Sequence, residues 1–203
     1  MKLGKFSIGV GDRFSHQGKA QLRAIMRANE TGLEINPVWN KSNREHTYVH
    51  SEPIDTRREA DEAVKALGYN GQYFVDADHI NLSTVDRFVA VSDFFTLDVA
   101  SFIGKPSAQE DIDTFIASCE KYLGELQIPG MEKPLSITKE LLEDIANKFL
   151  AATQQASEIY AYLADKKGAG NFITEVSMDE VEKPQTPVEM LFILKMLADK
   201  GVP

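Results

Sequence analysis

Short apolar runs alternate along the chain with segments whose apolar residues recur every three or four positions. The runs predict β-strands, and the three-to-four spacing predicts amphipathic helices. Leu22, Ile25 and Met26 show the helical spacing most clearly. The predicted strands are Phe6–Val10, Pro37–Trp39, Gln72–Val75, Phe94–Val99 and Phe172–Met178, and the predicted helices are Gln17–Asn29, Asp55–Gly68, Ser83–Phe88, Gln109–Leu126, Thr138–Lys167 and one opening at Pro187.

Polar stretches and capping residues mark the ends of these elements. The stretch from Asn40 to Pro53 is predicted to be a loop, and Asp55 is predicted to cap the helix that ends at Gly68. Glu180 and Glu182 are predicted to be exposed to solvent.

Strands that alternate with helices pair in parallel, so the pattern predicts an α/β fold: a doubly wound sheet or a (β/α) barrel. Five strands are too few to close an eight-stranded barrel. The turn from Lys200 to Pro203 is typical of a connection to a further strand. We therefore expect the natural protein to continue beyond Pro203, with a short open sheet as the alternative.

Composition narrows the class of protein. The net charge of -9 would repel a nucleic acid backbone, so no nucleic acid partner is expected. Cys119 is the single cysteine, which excludes an internal disulfide and indicates a reducing, cytoplasmic compartment. No apolar run approaches the ~20 residues that a membrane-spanning helix needs, so no membrane partner is expected.

Two polar clusters follow the first two strands, at the edge of a parallel sheet where ligands bind. Asp12 and Arg13 follow the first strand, and the planar fork of Arg13 suits a carboxylate. Their alternative roles are a local ion pair or a helix cap. The second cluster forms a cationic, hydrogen-bonding rim or a solvated loop, and consists of Lys41, Asn43, Arg44 and His46.

A third cluster follows the third strand, where period-two alternation places Asp76 and Asp78 on one face beside His79. Two carboxylates and an imidazole suit a divalent cation or a general base. The alternative is a cap or a structural carboxylate network.

The fourth and fifth strands contribute further acids. Asp98 ends the fourth strand and is positioned to join the site, whereas Asp93 precedes it and is predicted to cap a turn. Glu175 and Ser177 share one face of the fifth strand, and an acid within a strand indicates a functional cavity. Glu175 is therefore a second candidate for acid/base catalysis.

Taken together, these segments resemble the tagaturonate/fructuronate epimerase family over nearly the whole chain. The segments that carry the resemblance are Gly9–Phe14, His16–Ala24, Asn40–His46, Tyr73–Ile80, Ser92–Ala100 and Phe172–Val181.

The resemblance implies a (β/α) TIM-like barrel, incomplete in this chain, with about five parallel strands. We expect residues 1–203 to form a single α/β domain, the N-terminal part of that barrel, with a helical insertion at about 107–168. Family members are longer than this chain. The resemblance also implies a divalent metal cation and interconversion of two ketouronic acids.

By resemblance and position, Asp78 is assigned as the base, Glu175 as the acid and His79 as a metal ligand beside Asp76. A retro-aldol step would serve this chemistry. The predicted substrate-binding residues, of which Arg13 and Lys41 would hold the carboxylate, are Asp12, Arg13, Gln17, Lys41, Asn43 and Ser177.

The alternatives are an aldolase acting on sugar acids, a non-catalytic sugar-acid-binding protein, and an inactive fragment. An unclosed sheet leaves strand edges bare, so a homo-oligomer is also predicted.

Overall fold

A computed structural model describes residues 1–179 and 184–203 of the chain. The predicted exposure of Glu180 and Glu182 lies outside the described residues. Helices separate most strands of the large sheet as the sequence pattern predicts, but the helix predicted for Ser83–Phe88 is only a 3-10 turn over Val85–Arg87. The strands and helices are β1 (Phe6–Gly11), α1 (Gly18–Asn29), β2 (Ile35–Ser42), α2 (Asn43–Val49), α3 (Pro53–Leu67), β3 (Phe74–Ile80), β4 (Phe94–Asp98), α4 (Gln109–Ser118), β5 (Gly124–Leu126), β6 (Leu135–Ile137), α5 (Lys139–Lys167), β7 (Ile173–Ser177) and α6 (Pro187–Asp199).

The chain divides into two compact units. The first contains Met1–Asp98 and Ala161–Ser177, and the second contains Val99–Tyr160 and Met178–Pro203. The first unit holds the large sheet, and the second holds α4, α6 and most of α5 together with an antiparallel pair, β5 and β6. The single-domain organisation and the insertion at about 107–168 stay predictions.

The sheet of the first unit has the strand order β1, β2, β3, β4, β7, and every neighbouring pair is parallel. The prediction of an α/β fold with five parallel strands is confirmed. In-register residues of parallel strands point to the same side. One face therefore carries Gly11, Asn40 and Asp76, which lie side by side in register on three strands.

The two faces of the sheet bury different surfaces. On one face, Trp39 and Val75 pack against Leu22 of α1 and Ala60 and Ala63 of α3. The opposite face carries an apolar layer of Val38, Phe74 and Phe94, joined by Leu3 and Ile173. We call this second face the inner face; its polar positions follow the apolar layer toward the C-terminal ends of the strands.

Two predicted boundaries in the first unit are wrong. The predicted loop from Asn40 to Pro53 contains the helix α2, because Ser42 caps it by accepting the main-chain N–H of Glu45 at 3.2 Å. Asp55 is not the N-cap residue of α3, which is Glu52. Asp55 lies one turn inside, where its carboxylate accepts the N–H of Glu52 at 2.9 Å, and Pro53 begins the helix.

A boundary in the second unit is also wrong. The helix predicted for Gln109–Leu126 ends at Ser118. The residues after it form a short 3-10 turn and then β5, which begins at Gly124 with a φ of 98°. Only glycine adopts that backbone conformation readily, so the helix cannot continue through this position. No helix of the described residues is long and apolar enough to span a bilayer.

Candidate functional site

Polar side chains at the C-terminal half of the inner face line one pocket of about 260 Å³. Each of the five strands of the first unit's sheet supplies at least one polar side chain to it. The lining residues are Ser7, Gly9, Val38, Asn40, Asp76, Asp78, Phe94, Thr96 and Glu175. The pocket therefore gathers three carboxyl groups from β3 and β7, as the alternation of the sequence predicts.

Asp76 is the most deeply buried acid of this pocket, with 5% of its surface exposed. Thr96 on the neighbouring strand donates its main-chain N–H to Asp76 Oδ1 at 3.2 Å and its hydroxyl to Oδ2 at 3.0 Å. Burial, and then the negative charge of Asp78, raise the pKa of Asp76 to about 8 in spite of these two bonds. Asp76 is therefore mostly protonated at pH 7.

Asp78, His79 and Ser177 form a chain of polar contacts. Asp78 Oδ1 lies 2.9 Å from His79 Nδ1, and His79 Nε2 lies 3.3 Å from Ser177 Oγ. A carboxylate only accepts hydrogen bonds, so Nδ1 carries the proton when Asp78 is ionised. Both ring nitrogens are thus oriented by neighbours from β3 and β7.

The backbone explains how His79 reaches across β4. The register of β3 against β4 shifts between Ala77 and Ile80, and His79 has a φ of 51°. A shift of this kind re-aims a side chain, and a positive φ is uncommon outside glycine. The alternation that places Asp76 and Asp78 on one face ends at this shift.

Glu175 lies in register with Thr96 on the adjacent strand. Its side chain is accessible to solvent at the open side of the pocket. Partial desolvation, and then the charge of Asp78, raise the pKa of Glu175 above its usual value. A carboxyl group with a raised pKa in the same pocket as a second carboxyl group suits an acid and base pair.

Asp12 shapes the loop between β1 and α1. Its carboxylate accepts the main-chain N–H groups of Phe14, His16 and Gln17 at 3.0, 2.6 and 2.7 Å. Burial alone would raise the pKa of Asp12, but these hydrogen bonds outweigh it and lower the pKa. These bonds lie in the loop before α1 begins at Gly18, so Asp12 organises the loop and is not the cap of the helix. Arg13 pairs with Glu45 at 3.0 Å.

Lys41 and Asn43 lie apart from the carboxyl pocket. Lys41 alternates with Asn40 and is 2% exposed on the helix-covered face, where Nζ donates to the carbonyl of Arg13 and, at 3.0 Å, to Ser51 Oγ. The Asn43 amide oxygen accepts from Arg87 at 2.6 Å.

The predicted site residues therefore separate into two groups. The structure brings Asp76, Asp78, His79, Glu175 and Ser177 together. It places Lys41 on the helix-covered face of β2, and the other predicted substrate-binding residues lie in the loops and helix starts after β1 and β2: Asp12, Arg13, Gln17 and Asn43. The metal and substrate roles stay predictions. Within the described residues, no group of three or more His, Cys, Asp or Glu side chains is arranged to hold a metal ion.

Thr96 and the pocket role of Asn40 were not predicted from the sequence. The signal for Thr96 was its position two residues before Asp98, on the same face of an otherwise apolar strand. The signal for Asn40 was the pair of glycines on β1, since a Cβ on Gly11 would come within 3.0 Å of Asn40 Oδ1. Small residues on β1 thus leave room for the Asn40 amide.

The fold and the pocket define an α/β protein with a carboxyl-rich site near the C-terminal ends of parallel strands. Proteins of this class bind their ligands at that edge of the sheet. The sequence matches the family described as "UxaE: tagaturonate epimerase" over residues 1–203. The chain belongs to this family.

Relatives of known sequence or structure are longer than the chain. A tagaturonate/fructuronate epimerase of Thermotoga maritima is 27% identical over 209 residues, which cover 97% of the chain and 42% of the relative. Two glycerol-complexed crystal structures of a fructuronate-tagaturonate epimerase from Cohnella laeviribosi match with TM-scores of 0.78 and 0.79 at 20% and 21% identity. They cover 97% and 100% of the chain and 42% and 43% of the crystallised protein, so the chain spans about two fifths of these relatives.

Proposed function

We propose that the chain carries part or all of the site of an epimerase that interconverts tagaturonate and fructuronate. The observation that supports this proposal is the shared pocket of Asp76, Asp78 and Glu175 in a member of this family. We also propose that its five parallel strands belong to a (β/α) barrel and that the protein is cytoplasmic.

The chemistry of the substrate requires an indirect route to inversion. The two ketouronates differ at a hydroxyl-bearing carbon β to the ketone, whose C–H bond is not acidified by direct enolisation. Removing the proton of that hydroxyl instead allows the neighbouring carbon–carbon bond to break, giving an aldehyde and an enediolate. Rotation of the aldehyde and re-addition from its other face restore six carbons with the opposite configuration.

Asp78 and Glu175 are the proposed acid/base groups. Asp78 takes the hydroxyl proton, and the contact of His79 Nδ1 with Asp78 Oδ1 at 2.9 Å holds the carboxylate in one orientation. Glu175 retains a proton more readily than an ordinary glutamate because its pKa is raised, so it returns a proton to the new alkoxide. Both groups reach the same pocket from strands that flank β4.

A divalent metal cation is a further proposal, with Asp76 and His79 as its ligands from this chain. Such a cation would stabilise the enediolate as a Lewis acid. The donor set of the described residues does not complete a coordination sphere by itself. A cation would also have to displace the proton that Asp76 holds at pH 7.

Product analysis tests the reaction. Purified chain is incubated with tagaturonate, with and without added divalent metal, and the products are separated by chromatography. Fructuronate is the expected product, and Asp78→Asn and Glu175→Gln are each expected to slow its formation about 100-fold or more. Glu62→Gln, on the exposed side of α3, is the matched control and should leave the rate unchanged.

The alternatives give different results. In the same assay an aldolase would release two three-carbon pieces and no fructuronate, whereas a sugar-acid-binding protein and an inactive fragment would form no product. Titration calorimetry with tagaturonate separates these two, because only the binding protein binds it. Any of these three outcomes contradicts an active epimerase in this chain.

A further inference from the structure

A second cavity lies beside the loops that follow β1 and β2. It has a volume of about 140 Å³ and is lined by Arg13, Arg44, Glu45 and Tyr48. Arg13 comes two residues after the end of β1 and Arg44 two residues after the end of β2. The two arginines therefore emerge from neighbouring parallel strands at the C-terminal edge of the sheet.

The guanidinium of Arg13 is oriented by one hydrogen bond and keeps donors that no described residue uses. Its Nε donates to Glu45 Oε1 at 3.0 Å, and its carbonyl accepts from Lys41 Nζ. Within residues 1–179 and 184–203, the two terminal nitrogens of this guanidinium have no hydrogen-bond acceptor. They keep the planar, two-pronged geometry that matches the two oxygens of a carboxylate.

Glu45 does not cancel the positive charge of this cavity. One of its oxygens is bonded to Arg13, and the other accepts the main-chain N–H of Ser42 at 3.2 Å. Burial alone would raise the pKa of Glu45, but the bonds to Ser42 and Arg13 lower it, so this carboxylate is ionised at neutral pH. Two arginines against one carboxylate leave one net positive charge in a chain whose total charge is -9.

Arg44 and Tyr48 complete the wall of the cavity. They lie four residues apart on α2, so they share one face of that helix. Tyr48 is 79% exposed and presents an aromatic ring and a phenolic hydroxyl. Arginine and tyrosine together offer donors for a carboxylate and an apolar surface for the carbons that bear it.

We infer that the cavity of Arg13, Arg44 and Tyr48 binds the carboxylate of the sugar acid. This inference rests on the proposed function for the identity of the ligand. Arg44 then takes the role predicted for Lys41, whose ammonium group is buried and donates to the Arg13 carbonyl and Ser51 Oγ. Lys41 instead holds the main chain of Arg13 in place.

Titration calorimetry with two ligands tests the inference. Tagaturonate carries the carboxylate, and tagatose carries a neutral CH2OH group in its place. The unmodified chain should bind tagaturonate at least about tenfold more tightly than tagatose. Arg13→Gln and Arg44→Gln should each weaken tagaturonate binding about tenfold and leave tagatose binding unchanged, since a charge-assisted pair is lost. Arg23→Gln, on the exposed side of α1, is the control and should change neither affinity.

Equal binding of the two ligands to the unmodified chain would overturn the inference, as would no binding of tagaturonate or equal weakening of both ligands in the arginine variants. A selective loss of tagaturonate affinity in Arg13→Gln and Arg44→Gln reports on this cavity. Formation of fructuronate reports on the proposed function. Either can therefore fail while the other stands.

Discussion

Thr96 holds Asp76 through two hydrogen bonds across neighbouring parallel strands, one from its main-chain N–H and one from its hydroxyl. The acid and its partner are both buried, so this pair sets the protonation of the innermost carboxyl of the pocket. The hydroxyl can be removed without disturbing the strand ladder, which makes the relationship testable.

Thr96→Val removes the hydroxyl that stabilises the charged form of Asp76. We expect the pKa of Asp76 to rise further above 8, by up to about one unit for one hydrogen bond of ~1 kcal/mol. Carboxyl 13C chemical shifts followed against pH report this value. Thr96→Ser keeps the hydroxyl and is the control; an unchanged titration in the valine variant contradicts the role of the bond.

Asp76 also makes stability depend on pH. Its pKa rises from 3.8 to about 8 on folding, so the folded protein holds a proton that the unfolded chain has released. The contribution of Asp76 to the free energy of unfolding is fully present below pH 4. It is lost as pH rises to 8, by up to about 1.4 kcal/mol per pH unit. Asp76→Asn should flatten this slope in urea unfolding curves, whereas Glu62→Gln should not. Parallel curves for parent and Asp76→Asn would count against the buried, neutral acid.

His46 makes stability depend on pH in the opposite direction. Its ring is 1% exposed and lies 2.9 Å from Ser51 Oγ through Nδ1. Burial, and then the charges of Lys41 and Arg87, lower the pKa of His46 from 6.5 to about 4. The contribution of the neutral ring to the free energy of unfolding is therefore fully present above pH 6.5 and is lost as pH falls toward 4.

Unfolding curves between pH 4 and 7 test this expectation. His46→Gln should lose the extra slope of up to about 1.4 kcal/mol per pH unit, whatever its overall stability. His16→Gln, at an exposed position, should keep it. A slope that survives in His46→Gln would assign the acid sensitivity to another group.

Self-association is expected through β1. In the part of the chain that the structure describes, β1 pairs only with β2, and Phe6 and Ile8 on it are 44% and 49% exposed. An uncharged strand with a bare edge is a template for further pairing. Ile8→Lys should therefore shift the mass in light scattering toward monomer, and Leu33→Lys, equally exposed outside the strand, should not. A monomeric parent at all concentrations contradicts this prediction.

The alternating fold and the carboxyl cluster were predictable because both depend on local periodicity. Side chains two residues apart on a strand share a face, which is enough to group Asp76 with Asp78 and Glu175 with Ser177. The helix α2 was not predictable to the same degree, because a polar segment reads as a loop unless its capping residues are weighed. Ser42 and Glu45 supplied that signal.

By itself, the sequence determined where the five parallel strands lie to within a few residues, that Asp76 and Asp78 share one face of a strand, and which family the chain resembles. Tertiary structure alone decided which strands are neighbours, and hence that Thr96 meets Asp76 and that His79 spans from Asp78 to Ser177. It also decided that Lys41 is buried on the helix-covered face. The physical reason is that periodicity is a property of a few consecutive residues, whereas register, burial and the pKa of a carboxyl depend on chain segments far apart in sequence.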